Sequence, residues 1–257
     1  MVTVVLVTGV SRGIGSAIVD LIFKYEADAV VLGVARSESA LQDLKTRFGK
    51  KFEYLAADVT DSQRTKRFVE EMVAKHGSLD GIIANAGVLD PVQDVNGLNS
   101  EDWKRLFDVN FFSVVSLVST TIPFLKKSHL GNIVFVSSGA SVKPYYAWGA
   151  YGSSKAALNH FAQTINAEEP AVNVISVAPG VVDTSMQDDI RNTFGPRSMT
   201  PEALKRFADL KAHGQLLKPQ VPAAVYALLV LKGIPHQLKG KYVRYNDDAL
   251  KDYQISP

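Results

Sequence analysis

The chain has 257 residues, 46% hydrophobic and 21% charged, with a formal net charge of +2. That length suits one large domain better than two small ones, and about three quarters of the unfolded surface can be buried at this size. Near balance of charge gives no ground for a nucleic-acid or anionic-membrane partner. The absence of cysteine excludes disulfides, thiolate metal sites and cysteine nucleophiles, and leaves a reducing compartment unopposed.

The apolar start, Met1–Thr8, lacks a basic n-region and a cleavage site, so no targeting segment is expected there. The most apolar stretch, Val109–Leu125, carries Asn110, Pro123 and several Ser/Thr positions. It falls short of an uninterrupted membrane span of about 20 residues and reads as a buried helix. The ending Ile255-Ser256-Pro257 is not a peroxisomal tripeptide.

Short β-rich runs alternate with helical patterns. Val2–Thr8 reads as a strand and Ile14–Tyr25 as a helix, with Ile14, Ile18, Leu21, Ile22 and Tyr25 on one face. Ala29–Ala35 is a second strand before a helix at Glu38–Phe48. Phe52–Ala57 is a third, before an amphipathic helix at Ser62–His76. Leu79–Asn85 is a fourth, and a long helical region follows at about Asn99–Lys127. Gly131–Ser137 is a fifth strand, followed by a helix at Gly149–Glu168, and Val172–Ala178 is a sixth. Helical segments are expected within the polar stretch Thr184–Pro219. Pro222–Lys232 is a last helix and Lys241–Tyr245 a last strand. This alternation predicts an α/β fold: one doubly wound Rossmann-type domain over 1–257, with a seven-stranded parallel sheet flanked by helices. Ligands in such sheets lie at the carboxyl ends of the strands.

After the first strand comes Thr8-Gly9-Val10-Ser11-Arg12-Gly13-Ile14-Gly15. Gly9 allows a tight turn, Gly13 a close backbone approach to a pyrophosphate, and Gly15 close packing of helix on strand. The following helix start offers free N–H groups to an anion. With this loop at the chain start, a nucleotide site over Gly9, Ser11, Arg12, Gly13, Ile14 and Gly15 is expected.

In NAD-preferring sites an acid ends the second strand. Here Ala35 stands in its place, followed by Arg36 and Ser37, and no carboxylate occurs until Glu38. Arg12 and Arg36 favour a 2′-phosphate, so the expected cofactor is NADP(H). At later strand ends, Asp58 and Val59 suit the adenine edge, and Asn85, Ala86 and Gly87 are small neighbours for the cofactor. Asp58 reads equally as a cap for the next helix.

Tyr151 and Lys155 are four apart near a helix start, hence on one face. A nearby ammonium lowers a phenol's pKa and makes it a usable proton donor. Ser138 ends the fifth strand, where its hydroxyl can bond the same oxygen.

These motifs resemble the short-chain dehydrogenase/reductase family over essentially the whole chain: TGVSRGIG, NAG (Asn85–Gly87), the serine with YxxxK, and Pro179-Gly180 followed by Thr184. The resemblance implies Tyr151 as proton donor or acceptor and Ser138 as the group that polarises the carbonyl. Lys155 would hold the nicotinamide ribose and Asn110 a proton-relay water. Pro179, Gly180, Val181, Val182 and Thr184 would contact the nicotinamide, with no metal. It also implies a cofactor half at about 1–130 and a catalytic and substrate half at about 131–257. A homodimer through the helix before the fifth strand and through 151–168 is implied too, as is a cytoplasmic location.

TGVSRGIG, NFFSVVSLV, WGAYGSSKAALNHFA and APGVVDT also resemble the corresponding segments of fungal benzil reductases in the sepiapterin-reductase-like branch. That resemblance implies reduction of one carbonyl of an aromatic 1,2-diketone to an (S)-hydroxyketone. Sepiapterin reductases carry a pterin-anchoring aspartate in the last strand, and Arg244 falls in that place here. Asp247 and Asp248 lie just beyond, so a shift in register would restore an acid.

Substrate selection is expected from Val142–Trp148 and from a lid at about 185–218, whose length exceeds an ordinary connection. Tyr145, Tyr146 and Trp148 either stack on an aromatic substrate or pack under the loop or at a subunit contact. Met186, Phe194, Met199 and Leu210 are candidate apolar wall residues. The five histidines are scattered and read as surface or packing residues. The alternatives are an NADP-dependent alcohol dehydrogenase, a sepiapterin-type pteridine reductase, or a non-catalytic NADPH-binding regulator. The last is disfavoured by the presence of both Tyr151 and Lys155.

Overall fold

Branched aliphatic residues fill the strands because helices cover both sheet faces. The computed structural model describes residues 2–255; Met1, Ser256 and Pro257 lie outside the described residues, and with them part of the C-terminal tripeptide. β1 (Val4–Thr8), β2 (Val30–Ala35), β4 (Gly81–Ala84) and β5 (Asn132–Val136) are buried at every position. β3 (Phe52–Ala56), β6 (Asn173–Ala178) and β7 (Tyr242–Arg244) complete one seven-stranded sheet in the order β3-β2-β1-β4-β5-β6-β7. Every pairing is parallel.

Side chains alternate across the sheet with a period of two. Val5 and Val7 face a core shared with α1 (Gly13–Tyr25), α2 (Glu38–Phe48) and α10 (Gln220–Lys232). Val4 and Leu6 face the other core, with α3 (Ser62–His76), α5 (Ser113–Leu125) and α6 (Gly149–Glu168). α10 is apolar all round and is buried from Val221 to Val230, as expected for a helix enclosed on every side. Its Tyr226 is fully buried and donates its hydroxyl to the Val177 carbonyl at 3.0 Å.

Two departures from the sequence reading concern the site. First, the long helical region is α4 (Ser100–Phe107) joined to α5 by a π-helical turn at Asp108–Phe112. Ser100–Leu125 is thus one continuous helix, long and apolar enough to cross a membrane by length and composition alone, although Val114, Leu117, Val118 and Leu125 are buried against the sheet. Second, Asp61 is the cap of α3, accepting from Arg64 N at 3.0 Å, and not Asp58. The stretch after β6 forms α7 (Ser185–Asp189), α8 (Gly195–Ser198) and α9 (Pro201–Ala212).

The strand order reverses between β1 and β4, so the loops after these strands part and open a crevice at their carboxyl ends.

Candidate active site

The loop after β1 is shaped by contacts that only glycine permits. Gly9 has φ +73°, and a Cβ there would lie 2.9 Å from Ala86 Cα. A Cβ on Gly15 would lie 2.1 Å from the Gly9 carbonyl oxygen. Thr8 ties this loop to the end of β4: its Oγ1 accepts from Asn85 N at 3.1 Å and from Ala86 N at 3.0 Å. Asn85 Nδ2 donates back to Thr8 O at 2.9 Å. α1 begins here with no side-chain cap and no acid in its first turn. Its first N–H groups and the positive end of its dipole are left for an anion.

A cavity of about 320 Å³ runs from this loop past the ends of β4, β5 and β6. Its walls include Gly9, Ser11, Arg12, Gly13, Ile14 and Gly15, then Arg36, Asp58, Val59, Asn85, Ala86 and Gly87. Ser138, Tyr151, Lys155, Pro179, Gly180, Val182 and Thr184 follow, with Tyr145, Trp148 and Met186 beyond.

The second strand end differs from its sequence reading in one respect. Arg36 does have a carboxylate neighbour, because β2 and β3 run in register and bring Asp58 within 3.9 Å of its guanidinium. Burial pushes the Asp58 carboxyl up, but hydrogen bonds from Thr60 N and Oγ1 and the Arg36 charge outweigh it, and the acid titrates below its ordinary value. Both side chains stay well exposed, so the pair is weak.

Ser138 follows β5 and opens a single 3-10 turn, its Oγ accepting from Ala140 N at 3.1 Å. Tyr151 and Lys155 sit one turn apart on α6, 8% and 3% exposed. The Lys155 ammonium donates to the Val136 carbonyl at 2.8 Å and stands 5.8 Å from the Tyr151 ring centre. Burial lowers the Lys155 pKa to about 8. Burial also raises that of Tyr151, offset in part by the Ser138 hydroxyl. Desolvation dominates at Tyr151, and the Lys155 ammonium is turned to a carbonyl.

Asn110, expected to hold a water in the site, is fully buried in the π-helical turn and does not line the cavity. Its amide clamps the loop after β4, with Oδ1 accepting from Val88 N and Nδ2 donating to Val88 O, each at 2.8 Å. The wide turn aims it there, as π turns at functional sites often do. Five other residues expected at the site lie off the cavity wall. Ser37 stands at the start of α2 outside the cavity, its Oγ 3.3 Å from that of Ser39. Phe194 packs into a hydrophobic cluster with Ile190 and Leu106 and does not reach the cavity wall. Met199 packs in the same cluster, and Leu210 is likewise absent from the wall. Tyr146 points outward, its hydroxyl donating to Asp94 at 3.2 Å.

The remaining wall is aromatic. Trp148 meets Tyr151 edge-on at 5.7 Å and stacks on Tyr145 at 5.0 Å and on Phe207 at 5.2 Å. Phe207 and its neighbour Arg206, both on α9, were missed by the sequence reading, as was Gln187. A weak signal existed for Phe207, since it is the one fully apolar-facing aromatic of an amphipathic helix.

This fold and this serine–tyrosine–lysine group on a glycine-loop crevice define a dinucleotide-dependent oxidoreductase. The chain belongs to the short chain dehydrogenase family, whose model matches residues 3–194, and which works with NAD or NADP. It is 56% identical to a protein named benzil reductase ((S)-benzoin forming) IRC24 from Saccharomyces cerevisiae, over 98% of each chain. Among solved structures it resembles the YIR035C short chain dehydrogenase/reductase of S. cerevisiae, with a TM-score of 0.97, 54% identity, and 98% and 100% of the two chains covered. A structure described as a cytoplasmic protein from the same yeast matches with a TM-score of 0.85 and 52% identity, over 98% and 100%.

Proposed function

We propose that this chain is an NADPH-dependent carbonyl reductase that reduces one carbonyl of a hydrophobic, aromatic α-diketone to an (S)-hydroxyketone. The observation that carries the reading is the placement of Ser138, Tyr151 and Lys155 in one cavity wall beside the Tyr145–Trp148–Phe207 stack. The name of the 56%-identical yeast relative points to the same substrate class.

The residues present fit the dinucleotide. The close contacts at Gly9 and Gly15 leave a backbone cradle with no Cβ in it, and the uncapped start of α1 suits a pyrophosphate. Arg12 and Arg36 suit a 2′-phosphate, with Asp58 and Val59 at the adenine edge. Asn85, Ala86 and Gly87 pack against the cofactor, and Pro179, Gly180, Val182 and Thr184 line the nicotinamide end. When bound, NADPH supplies the hydride, so carbonyl, NADPH and a proton become alcohol and NADP. Ser138 donates a hydrogen bond to the carbonyl oxygen and stabilises its developing charge. Tyr151 gives that oxygen its proton. Its raised pKa keeps the phenol protonated at neutral pH, as a donor requires. Lys155 holds the nicotinamide ribose, and Asn110 acts by positioning the loop at Val88. Tyr145, Trp148 and Met186 hold the substrate, and residues 185–218 cover it. We place the enzyme in the cytoplasm as a homodimer through α5 and α6, with 1–257 as one domain.

The test is NADPH oxidation with benzil, other α-diketones, quinones and sepiapterin. Benzil reduction that needs NADPH and yields the (S)-alcohol is the expected result. Preference for NADH, or turnover of sepiapterin alone, overturns it.

A further inference from the structure

Charge along the cavity wall is uneven. Arg12, Arg36, Lys155, Arg206 and Arg244 are basic, and Asp58 alone is acidic. Arg12, Arg36 and Asp58 lie at the phosphate end, and Lys155 is buried beside Tyr151. That leaves Arg206 and Arg244, which the nucleotide does not need.

Both lie on the substrate side. The Arg206 guanidinium caps the Tyr145 ring at 5.1 Å, and Tyr145 stacks on Trp148, which meets Tyr151. A guanidinium over a ring keeps its N–H groups free in its own plane to bind an acceptor. Arg244 ends β7, paired with Ala178 immediately before Pro179. Both arginines are exposed, and among the described residues neither has an ion-pair partner within 4.0 Å.

We propose that Arg206 and Arg244 form a carboxylate subsite at the substrate end of the cavity, so that aromatic 2-oxo acids are substrates alongside neutral diketones. This rests on the carbonyl-reductase reading above. A neutral diketone leaves both cations without a counter-charge. A carboxylate next to the reacting carbonyl offers each a charge-assisted hydrogen bond, and a guanidinium binds it through two parallel N–H groups. The reaction balances as before: oxo acid, NADPH and a proton give hydroxy acid and NADP. The single acid of the wall, Asp58, is at the other end, so nothing there repels the anion.

The experiment compares phenylglyoxylate with its methyl ester, which share the ring and the reacting carbonyl and differ in charge. Steady-state kinetics are measured for the wild type, Arg244→Met, Arg244→Lys and the double variant Arg206→Met/Arg244→Met, at low salt and in 0.5 M NaCl. In the wild type the acid is expected to have the higher kcat/KM. The double variant should lose about tenfold or more on the acid through KM, with the ester and the KM for NADPH little changed. Arg244→Lys should retain most of the acid activity, and salt should reproduce part of the loss, since exposed charges are screened. An acid that is not reduced while the ester is, or that is reduced equally well by the double variant, overturns the subsite. A raised KM for NADPH in the variants also overturns it, by assigning the arginines to the cofactor. If the wild type reduces neither acid, ester nor benzil, the reductase reading itself falls, and the subsite with it.

Discussion

The Lys155 ammonium, four residues from Tyr151 on α6, spends its hydrogen bond on the Val136 carbonyl at 2.8 Å. It is a buried cation held by a neutral acceptor, with its pKa lowered to about 8 by burial. The unfolded chain keeps that proton to about pH 10.4. Below pH 8 both states are protonated, and the folded state bears the full cost of the buried charge. Between about pH 8 and 10 the folded chain releases the proton that the unfolded chain retains, so stability from this group rises with pH. Lys155→Met should therefore stabilise the protein at pH 7 by up to ~3 kcal/mol, less about 1 kcal/mol for the lost hydrogen bond. That gain should shrink by pH 10. Urea unfolding at both pH values checks this, and an equal gain at both would count against it.

Removing the Tyr151 hydroxyl tests the proton donor. Tyr151→Phe should lower kcat by about 10²- to 10⁴-fold while NADPH binding, read by fluorescence, is kept. The raised pKa of Tyr151 sets the pH behaviour: reduction should be flat through neutral pH and fall only in alkali, and alcohol oxidation should rise with pH.

Cofactor choice turns on Arg36. Losing its charge-assisted bond, at about 1.5–3 kcal/mol, should cut kcat/KM for NADPH by roughly 10- to 100-fold in Arg36→Asp and move preference toward NADH. Asp58→Asn should change NADPH affinity by less than about fivefold, because the exposed 3.9 Å pair is weak. A large effect of Asp58→Asn with none at Arg36 would reverse the assignment.

Two glycines make a paired stability test. Gly15→Ala drives a methyl to within 2.1 Å of a backbone oxygen, so a loss of more than about 2 kcal/mol is expected. Gly97 has open space and no positive φ, and Gly97→Ala should stay within about 0.5 kcal/mol of wild type. Thermal unfolding of the two variants measures the contrast.

Trp148 is both wall and core. Trp148→Ala should raise KM for aromatic diketones about tenfold, in line with the stacking lost, and should destabilise the fold by roughly 3–5 kcal/mol. Trp148→Phe keeps the stack on Tyr145 and Phe207 and should restore most of both. An unchanged diketone KM in Trp148→Ala would remove the residue from substrate binding.

Much of the site was legible because it lies on strand ends and helix starts, where local chemistry is diagnostic. The glycine loop, the small residues Asn85–Gly87 and the Tyr151–Lys155 spacing all needed only the strand–helix alternation around them. Phe207 and Arg206 were hidden because the amphipathic period of α9 marks a buried face without saying that this face docks over the cavity. Phe194, equally apolar and in the same excursion, turned inward to Ile190 and Leu106 instead.

Alternation of branched strands with amphipathic helices is a property of short windows, so the order of elements and the parallel sheet followed from the sequence alone. The same holds for the family, whose marks are contiguous motifs. Tertiary structure alone decided which charges meet. Asp58 comes beside Arg36 because the register pairs Ala35 with Ala56. Asn110 serves Val88 because a π-helical turn rotates it, and Lys155 faces Val136 because α6 lies over the end of β5. The charge balance of +2 was equally silent about place: packing is what gathers five cations and one acid around a single cavity.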